Sequence, residues 1–267
     1  MINEIPEMIV SMTLIIISAI IGSFLNVVIH RVPTDDSVVS PRSHCPTCKN
    51  NLRIIDNIPI VSYLILQAKC FFCKERIPAR YIFVECLSVI LTLLLYNVYG
   101  PSSSFILFTA LTYLLIAVTF IDIDYFIIPN EFIIIGLLVL IPSLFFEWLP
   151  LKWDDGLNGS LCFSGFLFSM GIIGQFILKK ESIGFGDVKL GLILGGFLGL
   201  ELSILALYLS FVSSALIVLA ILFKGNAERG MKIPFGPYLA IGTLVALLTN
   251  IPSGGNIIIN WYFESMF

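Results

Sequence analysis

Eight long, almost uninterrupted apolar stretches set the first limit on how this chain can fold. A helix needs about 20 residues to cross the ~30 Å hydrocarbon layer of a bilayer, and only helices and closed barrels satisfy every backbone group there. The stretches cover approximately residues 8–29, 81–99, 105–121, 132–149, 161–178, 188–200, 202–223 and 238–251. The 188–200 stretch is short, and a brief turn around Glu201 is expected between it and the next. With 58% hydrophobic and 12% charged residues, against roughly 45–50% and about 25% in soluble domains, the chain lacks the polar surface of a water-soluble globule. The expectation is an all-α polytopic membrane protein with about eight transmembrane helices. A net charge of −3 leaves no basic face for phosphates and argues against a nucleic-acid partner.

Lys and Arg stay on the cytoplasmic side of membrane proteins, so their positions orient the chain. With eight crossings, residues 30–80 share a side with the loops around Lys179 and Lys224. Together these loops hold 14 of the 15 basic residues, and only Lys152 lies opposite. The expected organisation is a first transmembrane helix at 1–29, a cytoplasmic loop at 30–80 and a seven-helix membrane core at 81–267. Glu4 and Glu7 stand where a cleaved secretory leader would carry bases, so the first stretch is expected to remain as a span.

The 30–80 loop is the one stretch that reads as a water-facing module. It carries Cys45-Pro-Thr-Cys48 and Cys70-Phe-Phe-Cys73. Two CxxC turns can each offer two thiolates, and together they complete a tetrahedral four-sulfur site. A reducing compartment disfavours disulfides, and about fifty residues make a small core that gains from a metal staple. Structural Zn2+ is the expected occupant. His30 and His44 are expected to be bystanders, and Cys86 and Cys162 packing residues within apolar spans.

A closed four-sulfur site leaves no position for a substrate, so catalysis must be sought elsewhere. Ionisable groups at apolar spans are costly and therefore candidates for function. Asp122 and Asp124 close the third span in Phe-Ile-Asp-Ile-Asp-Tyr, and Asp187 opens the sixth in Gly184-Phe-Gly186-Asp187-Val-Lys189. The topology places both clusters at the same membrane face and at similar depth. Two facing carboxylates can share a proton, activate a water and protonate a leaving amine, which is aspartic-protease chemistry. Asp124 is offset from Asp122 by about 200° on a helix, so it is expected to support the site, not to face Asp187. Gly191, Gly195 and Gly199 recur at GxxxG spacing and imply close helix packing beside the catalytic span.

Taken together, these motifs resemble the bacterial type IV prepilin peptidases, intramembrane aspartic proteases of the GxGD type. The likeness includes Gly22-Ser-Phe-Leu-Asn26 through His30-Arg31-Val-Pro33, the paired CxxC elements, Asp56-Asn57-Ile58-Pro59, and Arg80-Tyr81 through Glu85. It also includes Asp122 seven residues before Pro129, the GxGD at Asp187, and Pro234-Phe-Gly236-Pro237. The resemblance implies a bifunctional enzyme of the bacterial inner membrane, with its active site facing the cytoplasm. Such an enzyme removes the basic leader of type IV prepilins or pseudopilins and then N-methylates the new terminus with S-adenosylmethionine. The implied partners are the type IV pilus or type II secretion machinery. The implied catalytic pair is Asp122 and Asp187, supported by Asp124, Gly184, Gly186 and Lys189, with Lys69 and Glu85 in the methyl-transfer region. This chain departs from the family at Ala68, where glycine is common before the basic residue, and at Ile82, where proline is usual.

Two other classes compete. An ion-coupled transporter could also use paired intramembrane acids, but no inverted repeat is evident and the acids lie at helix ends. A non-enzymatic assembly scaffold would account for the metal module and leave the GxGD unexplained.

Overall fold

The computed structural model describes residues 7–40, 42–178, 183–224, 233–252 and 254–266. Glu4, Lys179, Lys180, Arg229 and Lys232, which entered the leader and charge readings, lie outside them. The fold is helical. The chain falls into two compact units, Met1–Asn97 and Val98–Phe267.

The first unit contains α1 (Glu7–Arg31), the cysteine loop with its short α2 (Val61–Ile65), and most of α3 (Arg80–Tyr99). α1 and α3 meet where side chains are small. A Cβ placed on Gly22 would lie 2.9 Å from the Glu85 Cα and 3.1 Å from the Ser88 Cβ. One turn along, the Asn26 amide donates to the Tyr81 carbonyl at 3.0 Å. These two contacts align the helices at the base of the cysteine loop.

The second unit contains α4 (Ser103–Tyr125), α5 (Asn130–Phe145), α6 (Trp153–Leu178), α7 (Phe185–Phe223) and α8 (Gly236–Leu248). A small hairpin of β1 (Asn250–Ile251) and β2 (Gly255–Asn256) and an exposed α9 (Ile257–Met266) follow. Among the described residues, five helices are long and apolar enough to cross a membrane, while α5 and α8 are shorter apolar helices. The core of this unit consists of side chains such as Leu115, Ile121, Phe163, Leu190 and Phe197, all essentially shielded.

α6 and α7 make the closest pairing. A Cβ on Gly195 would collide with the Gly159 carbonyl, and a Cβ on Gly191 would lie 3.1 Å from the Phe163 ring. Glycine at these positions lets two backbones touch, as the GxxxG spacing implied.

At 39 residues, about 58 Å of helix, α7 is nearly twice as long as the ~30 Å hydrocarbon layer is thick. It breaks at Gly199, with φ 71° and ψ −178°, a conformation suited to a residue without a Cβ. The Ser203 hydroxyl sits 2.5 Å from the Gly199 carbonyl and 3.5 Å from that of Gly195. Eight residues of straight helix would instead span about 12 Å, so the chain folds sharply here. Asp155, in the first turn of α6, accepts the Leu200 amide at 3.1 Å and caps the second half. The turn expected around Glu201 is therefore two residues earlier, because backbone torsion decided it and not the polar side chain.

Other boundaries also move. α6 starts at Trp153, eight residues before its apolar run. α8 ends at Leu248, so Ile251 belongs to the hairpin.

Candidate functional sites

The cysteine loop gathers its four cysteines with two copies of a turn offset by 25 residues. In the first, the Cys45 amide donates to the Asn50 carbonyl at 3.0 Å and the Lys49 amide to the Cys45 carbonyl at 2.8 Å. In the second, Cys70 donates to Glu75 at 2.8 Å and Lys74 to Cys70 at 3.0 Å. Both turns are closed by an antiparallel bridge, His44 with Asn51 and Lys69 with Arg76. The four sulfurs lie within 4.8 Å of one another, an arrangement that could hold a metal ion. Their protons are unevenly held. The Cys48 amide beside Cys45 outweighs burial and brings that thiol down to about 7. At Cys73 the Glu75 amide pulls the other way, but desolvation and the neighbouring sulfurs outweigh it and push the thiol up to about 12. Four thiolates this close repel one another, and a cation would relieve the conflict. His44 is exposed, with Nδ1 by the Arg42 carbonyl, and is not in the cluster.

Ala68 adopts φ +57°, a left-handed torsion that costs a residue with a Cβ about 1–2 kcal/mol. This gives a backbone reason for glycine at that position. Ala68→Gly is expected to raise the unfolding free energy by about 0.5–1 kcal/mol after its own entropy cost. Thermal unfolding of the purified protein checks this, and a lowered midpoint would contradict it. Lys69 is exposed in the second turn, while Glu85 is 7% exposed in α3, accepting the Ile60 amide at 2.7 Å. Glu85 lines a cavity of about 340 Å³ with His30, Arg31, Asp56, Tyr63 and Tyr81, and Lys69 does not. Asp56 is held below the usual carboxylate range by a bidentate pair with Arg53 at 2.7 Å.

The second site lies in the other unit, where Asp122 and Asp187 are 6% and 7% exposed. The Asp187 carboxyl interacts electrostatically with Asp122. Each acid is held by a backbone amide at a helix N-terminus. The Gly236 amide, first in α8, donates to Asp122 Oδ2 at 2.8 Å. Asp187, in the first turn of α7, takes a backbone hydrogen bond from Gly184, the N-cap residue. The positive ends of two helix dipoles thus meet the two carboxyl groups. Capping would explain either acid alone, but not the burial of both where each feels the other's charge.

Local chemistry sets these helix ends. α4 terminates at Phe126, whose left-handed backbone donates to the Asp122 carbonyl. The chain then passes through Ile127 and Ile128 to Pro129, the N-cap residue of α5. A Cβ on Gly186 would lie 3.1 Å from the Ile128 Cβ, and one on Gly184 3.2 Å from Asp187 Oδ2. Both motif glycines therefore admit close approach. Lys189 reaches back from α7 to Asn130 at 2.9 Å and ties the GxGD element to the residue after Pro129. Phe235 packs between Phe211 and Tyr238 and steadies the turn that presents Gly236. Asp124 is exposed. Gly236 as a donor was missed, because a backbone amide has no side-chain signature; its only sign was the Pro-Phe-Gly-Pro run.

Two family models match the chain. Residues 16–99 match the bacterial peptidase A24 N-terminal domain, and residues 109–219 match the type IV leader peptidase family. A prepilin leader peptidase/N-methyltransferase of Aeromonas salmonicida strain A449 is 32% identical over 278 aligned positions, covering 93% of this chain and 92% of its own. One of that name from Pseudomonas aeruginosa is 34% identical, covering 88% of each chain. A type 4 prepilin-like proteins leader peptide-processing enzyme of Escherichia coli is 34% identical over 85% of this chain and 90% of its own. No solved structure matches the chain. Identity above 30% along nearly the whole length, with the cysteine module and the acid pair each inside a matching domain, makes this chain a member of the type IV leader peptidase family.

Proposed function

We propose that this protein cleaves the basic leader from a type IV prepilin or pseudopilin with Asp122 and Asp187, and N-methylates the new terminus. The observation that carries the first step is the pair of buried, electrostatically interacting carboxyl groups, each held by a glycine amide. One carboxylate takes a proton from water as its oxygen attacks the carbonyl of the last leader residue. The other acid gives its proton to the departing amide nitrogen as the C–N bond breaks. The two titrate as a unit, so neither role is assigned to one residue. Lys189 and Asn130 hold the two motif loops in register.

The charge distribution supports eight crossings, counting α7 as two, with the acid pair and the cysteine module at the cytoplasmic face of the inner membrane. A basic leader would be presented there.

Zinc fits the four sulfurs. A tetrahedron with Zn–S near 2.3 Å has edges of about 3.8 Å; Cys45–Cys73 is 3.8 Å and Cys48–Cys70 is 4.0 Å. One zinc per chain is expected by elemental analysis. Cys70→Ser or a strong chelator should remove it together with the ordered structure of residues 42–78; a module that stays folded without metal would count against a structural role.

The methyl donor S-adenosylmethionine would supply a sulfonium-bound methyl group to the freed amine. The cavity of about 340 Å³ lined by Glu85, Asp56, Arg31 and Tyr81 suits it in size and mixed charge. The test is the intact mass of a prepilin after incubation with membranes holding this protein, with and without the methyl donor. Loss of the leader, and one added methyl only with the donor, are expected. An uncleaved prepilin would overturn the reading and return the transporter and scaffold to consideration.

A further inference from the structure

The cysteine module carries a large apolar surface that a water-facing domain would not keep. Ile54 is 79% exposed and Ile65 72%, and Ile55, Ile58 and Leu64 are exposed beside them. Contiguous exposed apolar surface of this kind marks an interaction site.

Three observations identify what covers it. The first is depth. The Ile60 amide donates to Glu85 Oε2 at 2.7 Å, and Glu85 is the residue that α1 meets at Gly22. Gly22 is nine residues from the Arg31 end of α1 and Glu85 five residues into α3, roughly 13 Å and 8 Å along membrane-spanning helices. Residue 60 is therefore tethered, through the Glu85 side chain, to a point below the ends of both spans. The second is continuity. A groove of about 840 Å³ joins this segment to α1, with Ile16, Ile20 and Phe24 on one wall and Ile54, Ile58 and Val61 on the other. Ile16, Ile20 and Phe24 are themselves exposed side chains of a membrane span, so both walls share one apolar environment. The third is backbone satisfaction. The amides of Ile58, Ile60, Val61, Ser62, Leu64 and Leu66 all donate within the protein, as irregular backbone must in hydrocarbon.

We propose that residues 54–65 form a membrane-inserted loop beside α1, its apolar side chains against phospholipid acyl chains. Arg31, Arg42 and Arg53 line the same groove and meet the headgroup phosphates. Glu85 holds the loop at depth through the Ile60 amide, and Arg53 is braced by Asp56 and the Phe71 ring, 3.4 Å from the ring centre. The module is thereby attached to the bilayer as well as to its two helices.

Benzoylphenylalanine at Ile54, Ile65 or exposed Lys49, in the full chain in nanodiscs of phosphatidylethanolamine and phosphatidylglycerol, tests this by intact mass after illumination. Adducts of one phospholipid at 54 and 65, and none at 49, are expected. Equal labelling at all three positions, or none at 54 and 65, would overturn it. So would crosslinks from 54 or 65 to a second copy or to an added prepilin in place of lipid.

Discussion

Gly236→Ala is expected to lower kcat for leader cleavage by about 100-fold or more while leaving KM near its wild-type value. A Cβ at residue 236 would fall 2.8 Å from Asp122 Oδ2 and 3.3 Å from the Asp122 Cβ. The carboxyl group must then turn away, and the amide that fixes it loses its partner. Misplacement of a reacting group by about 1 Å costs on that order. Gly236 is a positioning residue, since it acts through Asp122. Because the clash is with a side chain, the fold should survive, with an unfolding midpoint close to that of the wild type. The acid limb of the pH–rate profile should also move, because the hydrogen bond it loses is made to a titrating oxygen. An unchanged kcat and an unchanged profile would show that the α8 amide is only a helix cap.

Gly195→Ala should be the most damaging single change to the fold. The added methyl would meet the Gly159 carbonyl and the Ser160 amide, which are backbone atoms and cannot rotate aside. α6 and α7 would have to separate, taking Gly191 away from Phe163 and Leu167. Overpacking commonly costs 1–3 kcal/mol, and backbone against backbone belongs at or above the top of that range. Most of the protein should be lost from membranes at growth temperature, and what remains should melt well below the wild type. Gly165→Ala, at a glycine on α6 whose Cβ would meet nothing within 4 Å, is the control and should be near neutral. Equal midpoints for the two variants would contradict the close α6–α7 contact.

Much of this arrangement is legible in the amino-acid sequence. The spans were visible because hydrocarbon demands long apolar runs, and α1, α3 and α4 begin and end within four residues of the expected limits. The cysteine module was legible because ligand spacing is local: two thiolates three residues apart need only a turn. The start of α6 was not, since Asp154, Asp155 and Asn158 interrupt the apolar run while remaining compatible with a helix N-terminus. Nor was the break in α7, because hydropathy does not report the torsion that Gly199 adopts. Ala68 shows the same limit: the departure from glycine was visible, but its physical meaning required φ. At the acid pair, the residue types and the motif glycines could be read from spacing. The amide of Gly236 could not, because 114 residues separate it from Asp122, and only the folded chain brings them together.

The central claim is that Asp122 and Asp187 act as one catalytic unit. Its most direct test is single-turnover cleavage of a prepilin by Asp122→Asn, Asp187→Asn and the double variant, each first shown to fold and to retain its metal. Groups that act together are non-additive, so each single variant should fall to the uncatalysed background and the double variant no further. Cleavage by either single variant within about tenfold of the wild type would contradict the claim.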